Sequence, residues 1–144
     1  MNPVSIEIFN ESDEIIPFSE GQFQHVVLLV QKQEKRNFLH VEVVFVNEPE
    51  ILEMNRRYLG HDHVTDIITF PYHEENEPVE GTLYCCAPEI RRQSIELGTP
   101  YDEEVLRVVI HGLLHLVGHD DSTDSQRTRM RSLEDKYITI YRDY

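Results

Sequence analysis

The sequence predicts an α+β fold, an α/β sandwich in which a four-stranded mixed sheet is flanked by about five helices. Four segments have the alternating or β-branched composition of strands, at residues 4–9, 38–46, 65–72 and 82–86. Other stretches carry helix start and stop signals. The two kinds of element do not follow a strict strand–helix–strand rhythm, so a mixed sheet is expected rather than a purely parallel one.

The first two helices are marked by their ends. Ser19 and Gln22 have the spacing of a capping box, before an amphipathic stretch that runs to about Lys35. Asn47 is the expected cap of the second helix, which ends at Gly60. These signals place one helix before and one helix after the strand at residues 38–46 in the sequence.

Three more helices are predicted in the second half of the chain. A short one begins at Pro88 and ends at Gly98, and the next follows directly and ends at Gly118. This fourth helix is apolar nearly all round towards its end, which predicts a buried central position. Ser122 or Thr123 caps the last helix, whose core face carries Met130, Leu133, Tyr137 and Ile140.

Length and composition fit a single domain that occupies residues 1–144. No apolar run approaches the roughly 20 residues of a membrane span, and the N-terminal residues lack the pattern of a signal peptide. Cys85 and Cys86 are adjacent, which disfavours a disulfide between them and fits a reducing compartment. We therefore expect a cytoplasmic protein without a membrane partner.

The formal net charge is −14. It argues against broad, sequence-independent binding to duplex nucleic acid, because such binding needs a basic face. The arginines are grouped, however, at residues 56–57, 91–92 and 127–131. A local basic cleft on an acidic body is therefore compatible with the sequence.

The segment HGLLHLVGHDD, residues 111–121, predicts a metal site. His111 and His115 are four residues apart, so they lie on one face of the helix with the spacing that paired histidines use to hold zinc. Gly118 lets the chain leave the helix and fold back. Asp121 follows three residues later, where metzincin-type motifs have their third ligand. We expect one Zn²⁺ per chain, or another divalent ion, held by His111, His115 and Asp121.

Two other residues compete with Asp121 for the third position. His119 is the softer zinc ligand, but the helix end separates it from His115, and Asp120 is the second alternative. Three protein ligands leave a position open for water, which is typical of catalytic sites. Gly112 stands where HExxH metalloproteases have their general base, so a phosphodiester is a more natural substrate than a peptide.

These residues resemble a known family. HGLLHLVGHDD resembles the HGxLHLxGYDH signature of the YbeY family, bacterial metal-dependent single-strand endoribonucleases that act in ribosomal RNA maturation. A second segment, MNRRYLGHDHVTDIITFPY at residues 54–72, looks like the family's LNxxYRxxDxPTDVLSFP. Gly81 before a strand is a third, weaker match. The order and spacing of the motifs cover most of residues 40–135.

The resemblance implies a four-stranded mixed sheet with a metal on the buried helix, and it carries His111 and His115 over as ligands. The family's third ligand is a histidine, where this chain has Asp121. An oxygen ligand makes the site harder and favours manganese or other divalent ions more than three histidines do. The family's functional arginine after the tyrosine of the second motif is Leu59 here, which removes a guanidinium that would stabilise the phosphate.

The candidate catalytic residues beside the metal are Asp66, Arg56, Arg57 and His63. Asp66 is expected to line the cleft and to hold a water or a hydrogen bond to a ligand histidine. Arg56, Arg57 or His61 is the candidate replacement for the missing arginine. His63 is a candidate proton donor near the cleft.

The resemblance implies a metal-dependent single-strand-specific endoribonuclease in ribosomal RNA maturation and ribosome quality control. Its partners would be single-stranded ribosomal RNA and the small ribosomal subunit, and metal-activated water would hydrolyse the phosphodiester. Two alternatives stay open, a metal-dependent hydrolase of another bond and a non-catalytic ribosome-associated factor with a structural metal. An open coordination position distinguishes a catalytic site from a structural one.

Overall fold

The computed structural model describes residues 4–143, and within them the chain forms four strands and five helices. Their order is β1 (Ser5–Asn10), α1 (Glu20–Glu34), β2 (Phe38–Val46), α2 (Glu48–Leu59), β3 (Ile67–Pro71), β4 (Val79–Cys86), α3 (Ala87–Leu97), α4 (Tyr101–Leu116) and α5 (Asp124–Arg142). The strands are arranged β1-β2-β4-β3. β1 and β4 run parallel to β2, whereas β3 is antiparallel to β4. The predicted mixed α+β sheet is therefore confirmed.

The helix ends follow the predicted caps with one exception. Ser19 and Gln22 form the capping box of α1, in which each residue bonds the other's backbone N–H. A second capping box begins α5, and Thr123 is its cap residue. Asn47 stands at the cap position of α2 without capping it, because its side-chain oxygen accepts from the Asp13 amide at 3.1 Å. The prediction of a side-chain cap at Asn47 was wrong, since a contact with the loop after β1 takes its place.

α4 is the central helix, as its apolar sequence predicts. It packs on β3 and β4 and contacts α1, α3 and α5. The larger core cluster joins these helices to one face of the sheet. A smaller cluster lies on the opposite face beneath α2, around Val44, Val46, Ile51, Ile68 and Cys86. Within residues 4–143, no helix has both the length and the hydropathy to cross a membrane.

α4 approaches the sheet closely at Gly112. A Cβ at this position would lie 2.6 Å from Ile67 Cδ1 and 3.0 Å from Leu83 Cδ2. The position therefore points into the sheet and away from solvent, and a glutamate there would have to displace the side chains of Ile67 and Leu83. Packing thus accounts for the glycine at the place where HExxH enzymes have their base.

Gly81 on β4 is a second position with no room for a side chain. A Cβ there would lie 2.6 Å from Leu116 Cδ2 and 2.8 Å from the carbonyl oxygen of Phe70. The oxygen belongs to the neighbouring strand and cannot turn away. We expect Gly81→Ala to lower the free energy of unfolding by about 1–3 kcal/mol. Urea denaturation measures this change.

Gly21→Ala is a control for which the opposite change in stability is expected. Gly21 lies in the first turn of α1, where a Cβ would meet only the Ser19 hydroxyl at 3.9 Å. Gly21→Ala should raise stability by a fraction of the ~1 kcal/mol by which alanine exceeds glycine in a helix. Equal effects of the two substitutions would contradict the close approach of β4 to α4.

Candidate metal centre

The turn after α4 brings the third candidate ligand back to the helix. Gly118 has φ +106°, a left-handed conformation that favours glycine. Its N–H donates to the His115 carbonyl, and the His119 N–H donates to the Leu114 carbonyl, both at 3.0 Å. This pair of bonds is a Schellman motif. The chain therefore reverses within a few residues, as the glycine predicts.

His111, His115 and Asp121 converge on one point. The two Nε2 atoms are 3.0 Å apart, and Asp121 Oδ2 lies 3.2 Å from His111 Nε2 and 3.3 Å from His115 Nε2. A tetrahedral ion with bonds of about 2.0–2.2 Å separates its ligand atoms by about 3.4 Å. The three side chains are 23% to 40% exposed. Two imidazole nitrogens and a carboxylate oxygen in this arrangement fit one divalent ion at the edge of a cleft.

His119 points away from this cluster. Its Nε2 lies 2.6 Å from Glu34 Oε1, and the Tyr137 hydroxyl donates to the other oxygen of the same carboxylate. Glu34 thus ties the turn to α1 and α5. Asp120 is exposed and does not join the three-residue cluster in the described part of the chain. Of the three positions that the sequence left open, Asp121 is the one beside the histidines.

The buried carboxylate of Glu134 orients His111. Its Nδ1 lies 2.7 Å from Glu134 Oε2, and the other Glu134 oxygen accepts from Arg107 at 3.1 Å. Burial lowers the pKa of His111, but the hydrogen bond and charge of Glu134, with the charges of Asp66 and Asp121, outweigh it and raise the pKa above its usual value. A carboxylate on Nδ1 fixes the ring and leaves Nε2 directed at the other ligands.

Two clefts meet at the cluster. One, of about 290 Å³, runs along β3 and is lined in part by Leu59. The other, of about 270 Å³, lies between α3, α4 and α5. Asp66, His111 and Asp121 line both. The cluster is therefore accessible from two sides.

Asp66 lies where the sequence predicts it, in the wall of the cleft. Burial raises the pKa of its carboxyl group, although the charge of His111 acts in the opposite direction. The hydrogen bond to a ligand histidine is made by Glu134 instead. Asp66 therefore faces the cluster without being the residue that orients His111.

A model of the family Endoribonuclease YbeY matches residues 7–142. The chain belongs to the YbeY family. Endoribonuclease YbeY of Chlorobium phaeovibrioides is 34% identical over 95% of this chain and 90% of its own length. That of Chlorobaculum tepidum is 37% identical over 92% and 95%. The solution structure of TM1509 from Thermotoga maritima is similar with a TM-score of 0.63 and 29% identity, over 94% of this chain and 88% of that one.

The position that carries an arginine in the signature of the YbeY family lies at the cleft in this chain. Leu59, which occupies it here, lines the cavity along β3 together with His115 and Asp121. Its side chain offers no hydrogen-bond donor to a phosphate. The loss of the guanidinium is therefore a change within the cleft itself.

The candidate replacements for that arginine, Arg56, Arg57 and His61, and the candidate proton donor His63 all lie outside the lining of the two clefts. Arg56 pairs with Asp62, and Arg57 lines a separate groove beneath α2. His63 is exposed, with its ring stacked on His61 at a centroid distance of 5.5 Å. None of the four is among the described residues that line the two clefts. The expectation that they stand beside the candidate ligands is not met. Arg56 is turned to an exposed carboxylate, Arg57 faces the groove beneath α2, and His63 lies in the exposed loop that follows α2.

A second group of possible ligands lies on the opposite face of the sheet, formed by Glu7, His40 and Glu42. His40 Nε2 lies 3.3 Å from Glu7 Oε1, and its Nδ1 is 2.9 Å from the Ser5 hydroxyl. Glu42 accepts a hydrogen bond from Thr82 at 2.9 Å. These contacts between strands account for the group without an ion.

Proposed function

We propose that this chain is a metal-dependent endoribonuclease, a single hydrolase domain over residues 1–144 that cleaves single-stranded ribosomal RNA. It would act in the cytoplasm, in the maturation and quality control of ribosomal RNA with the small ribosomal subunit as partner. The convergence of His111, His115 and Asp121 at a cleft supports this proposal most strongly. Membership of a family whose relatives are called endoribonucleases supports the reaction. Two buried free thiols fit a reducing compartment.

His111, His115 and Asp121 would hold one zinc ion per chain, with manganese as the alternative that an oxygen ligand favours. A divalent ion in this site supplies Lewis-acid chemistry, which makes water a better nucleophile near neutral pH and polarises a phosphoryl oxygen. Glu134 keeps His111 in one orientation for this role. The paired donor Arg107 keeps Glu134 in place.

Asp66 is the residue we assign to proton transfer. Its carboxylate shares both clefts with His111 and Asp121. Because burial raises its pKa, the carboxylate oxygens are more basic than those of an exposed aspartate. A general base of this kind holds a proton during the attack of water and releases it to the leaving oxygen.

Cleavage of a peptide bond is a weaker alternative. Gly112 supplies no carboxylate, and the sheet fills the space that a longer side chain would need. A purely structural metal is disfavoured because the ligand side chains are partly exposed and border two clefts. Phosphodiester hydrolysis uses the groups that are present.

Removal and return of the metal tests the proposal. Dialysis against a chelator should abolish cleavage of a single-stranded RNA, and one equivalent of Zn²⁺ or Mn²⁺ should restore it. The measurement is product formation on a denaturing gel beside metal content by mass spectrometry. Full activity of the metal-free protein would contradict metal dependence, and absence of RNA cleavage by the loaded protein would contradict the nuclease assignment.

A further inference from the structure

Three arginines line the cleft between α3, α4 and α5: Arg107, Arg127 and Arg131. The same cleft is bordered by His111 and Asp121 of the cluster. The chain as a whole carries a net charge of −14, so a group of cations beside the candidate metal is a local exception. Arg127 and Arg131 belong to one of the basic groups in the sequence, residues 127–131, on the first turns of α5, and Arg107 comes from α4.

Two of these arginines are committed to protein groups. Arg107 pairs with Glu134 at 3.1 Å and with Asp135 at 2.8 Å. Arg127 donates to the Asp121 carbonyl at 3.2 Å, as well as to the next carbonyl and a carboxylate of the same turn. Arg127 therefore braces the turn that carries the third ligand. These contacts keep the Arg127 guanidinium in the cleft and use part of its N–H donors.

Arg131 differs from both. In the described part of the chain it makes no hydrogen bond or ion pair, although its charge acts on Glu104 in the cleft. Its guanidinium is therefore free to bind a ligand. A guanidinium presents paired N–H donors that match two oxygens of a phosphate.

The charge of the cleft depends on the metal. Three arginines face four carboxylates, those of Asp66, Glu104, Asp121 and Glu134. A divalent ion in the cluster makes the net charge of the cleft positive. The loaded site would then attract an anion although most of the surface repels it.

We propose that Arg131, with Arg127 beside it, binds a phosphate of the single-stranded substrate in a cleft that Leu59 does not line, and so supplies a phosphate contact in a chain that lacks the arginine of the family signature. The assignment rests on the proposed function, because a strand with its reacting phosphate at the cluster would place a neighbouring phosphate in this cleft. Contacts to phosphates position a strand without selecting its bases. The subsite would therefore act on single strands of any sequence.

Binding of an uncleaved strand tests the assignment separately from catalysis. The probe is a short fluorescent single-stranded DNA, and its affinity for the metal-loaded protein is measured by anisotropy at several salt concentrations. Arg131→Ala should weaken binding roughly 10-fold, as expected for a lost hydrogen bond to a charged group. The slope of log affinity against log salt should fall by about 0.7, the value for one phosphate contact on a single strand. Arg131→Lys should keep the slope and recover part of the affinity.

Arg129→Ala is the matched control, because Arg129 is exposed on the same helix and is not among the described residues that line the cleft. It should leave both affinity and slope unchanged. Thermal melting checks that each variant is folded. Equal affinity and slope for the wild type and Arg131→Ala, or no binding by the wild type, would overturn the subsite. Binding that depends on Arg131 in a protein that does not cleave RNA would support the subsite and reject the nuclease.

Discussion

Replacing His115 by alanine is expected to remove the metal and lower cleavage of single-stranded RNA by at least about 100-fold, beyond the range typical for loss of a residue that only supports a ligand. The side chain supplies one of three atoms that lie within 3.3 Å of one another. The two that remain, on His111 and Asp121, leave an incomplete set for a divalent ion. Metal content and initial cleavage rates measure the effect.

The fold should survive this substitution. His115 lies on the cleft side of α4 and is partly exposed, and alanine is the best helix former. Circular dichroism should therefore match the wild type.

His40→Ala is the matched control, since it removes an imidazole from the second group of possible ligands on the opposite face of the sheet. We expect one metal per chain and unchanged cleavage in that variant. Normal RNA cleavage by His115→Ala would exclude this cluster as the catalytic centre, and lost metal in His40→Ala would move the ion to the other face.

The parts of the site that lie close together in sequence were predictable. His111 and His115 share a helical face because of their spacing, and Gly118 ends the helix because glycine tolerates a positive φ. The choice between His119 and Asp121 was not decided by spacing. It depends on Glu34, a residue of α1 that draws His119 away from the cluster.

Contacts between distant elements could not be read from the sequence. Glu134 reaches His111 from α5, and no periodicity within either helix reveals that pair. Arg56 and Arg57 lie within a family motif, but a place in a motif does not say which way a helical side chain points. The first pairs with Asp62 and the second lines another groove.

Glu134→Gln should weaken metal binding about 10- to 100-fold, the usual effect of losing the partner of a ligand histidine. Both carboxylate oxygens are used, one by His111 and the other by Arg107. A glutamine has the same shape but only one acceptor oxygen. If that oxygen faces Arg107, the amide N–H₂ meets His111 Nδ1 and favours the tautomer with its proton on Nε2, which cannot bind a metal. Competition with a coloured chelator measures the affinity.

Asp135→Asn separates this orienting role from a purely structural one. Asp135 is the second partner of Arg107 at 2.8 Å, and its side chain is 58% exposed. An exposed ion pair contributes about 0–1 kcal/mol, so its loss should change the melting temperature little and leave metal affinity unaltered. Glu134 is buried, and its replacement should lower both quantities, because Arg107 loses a buried partner and His111 its orientation. A Glu134→Gln protein that melts earlier but binds metal normally would limit Glu134 to holding α4 against α5.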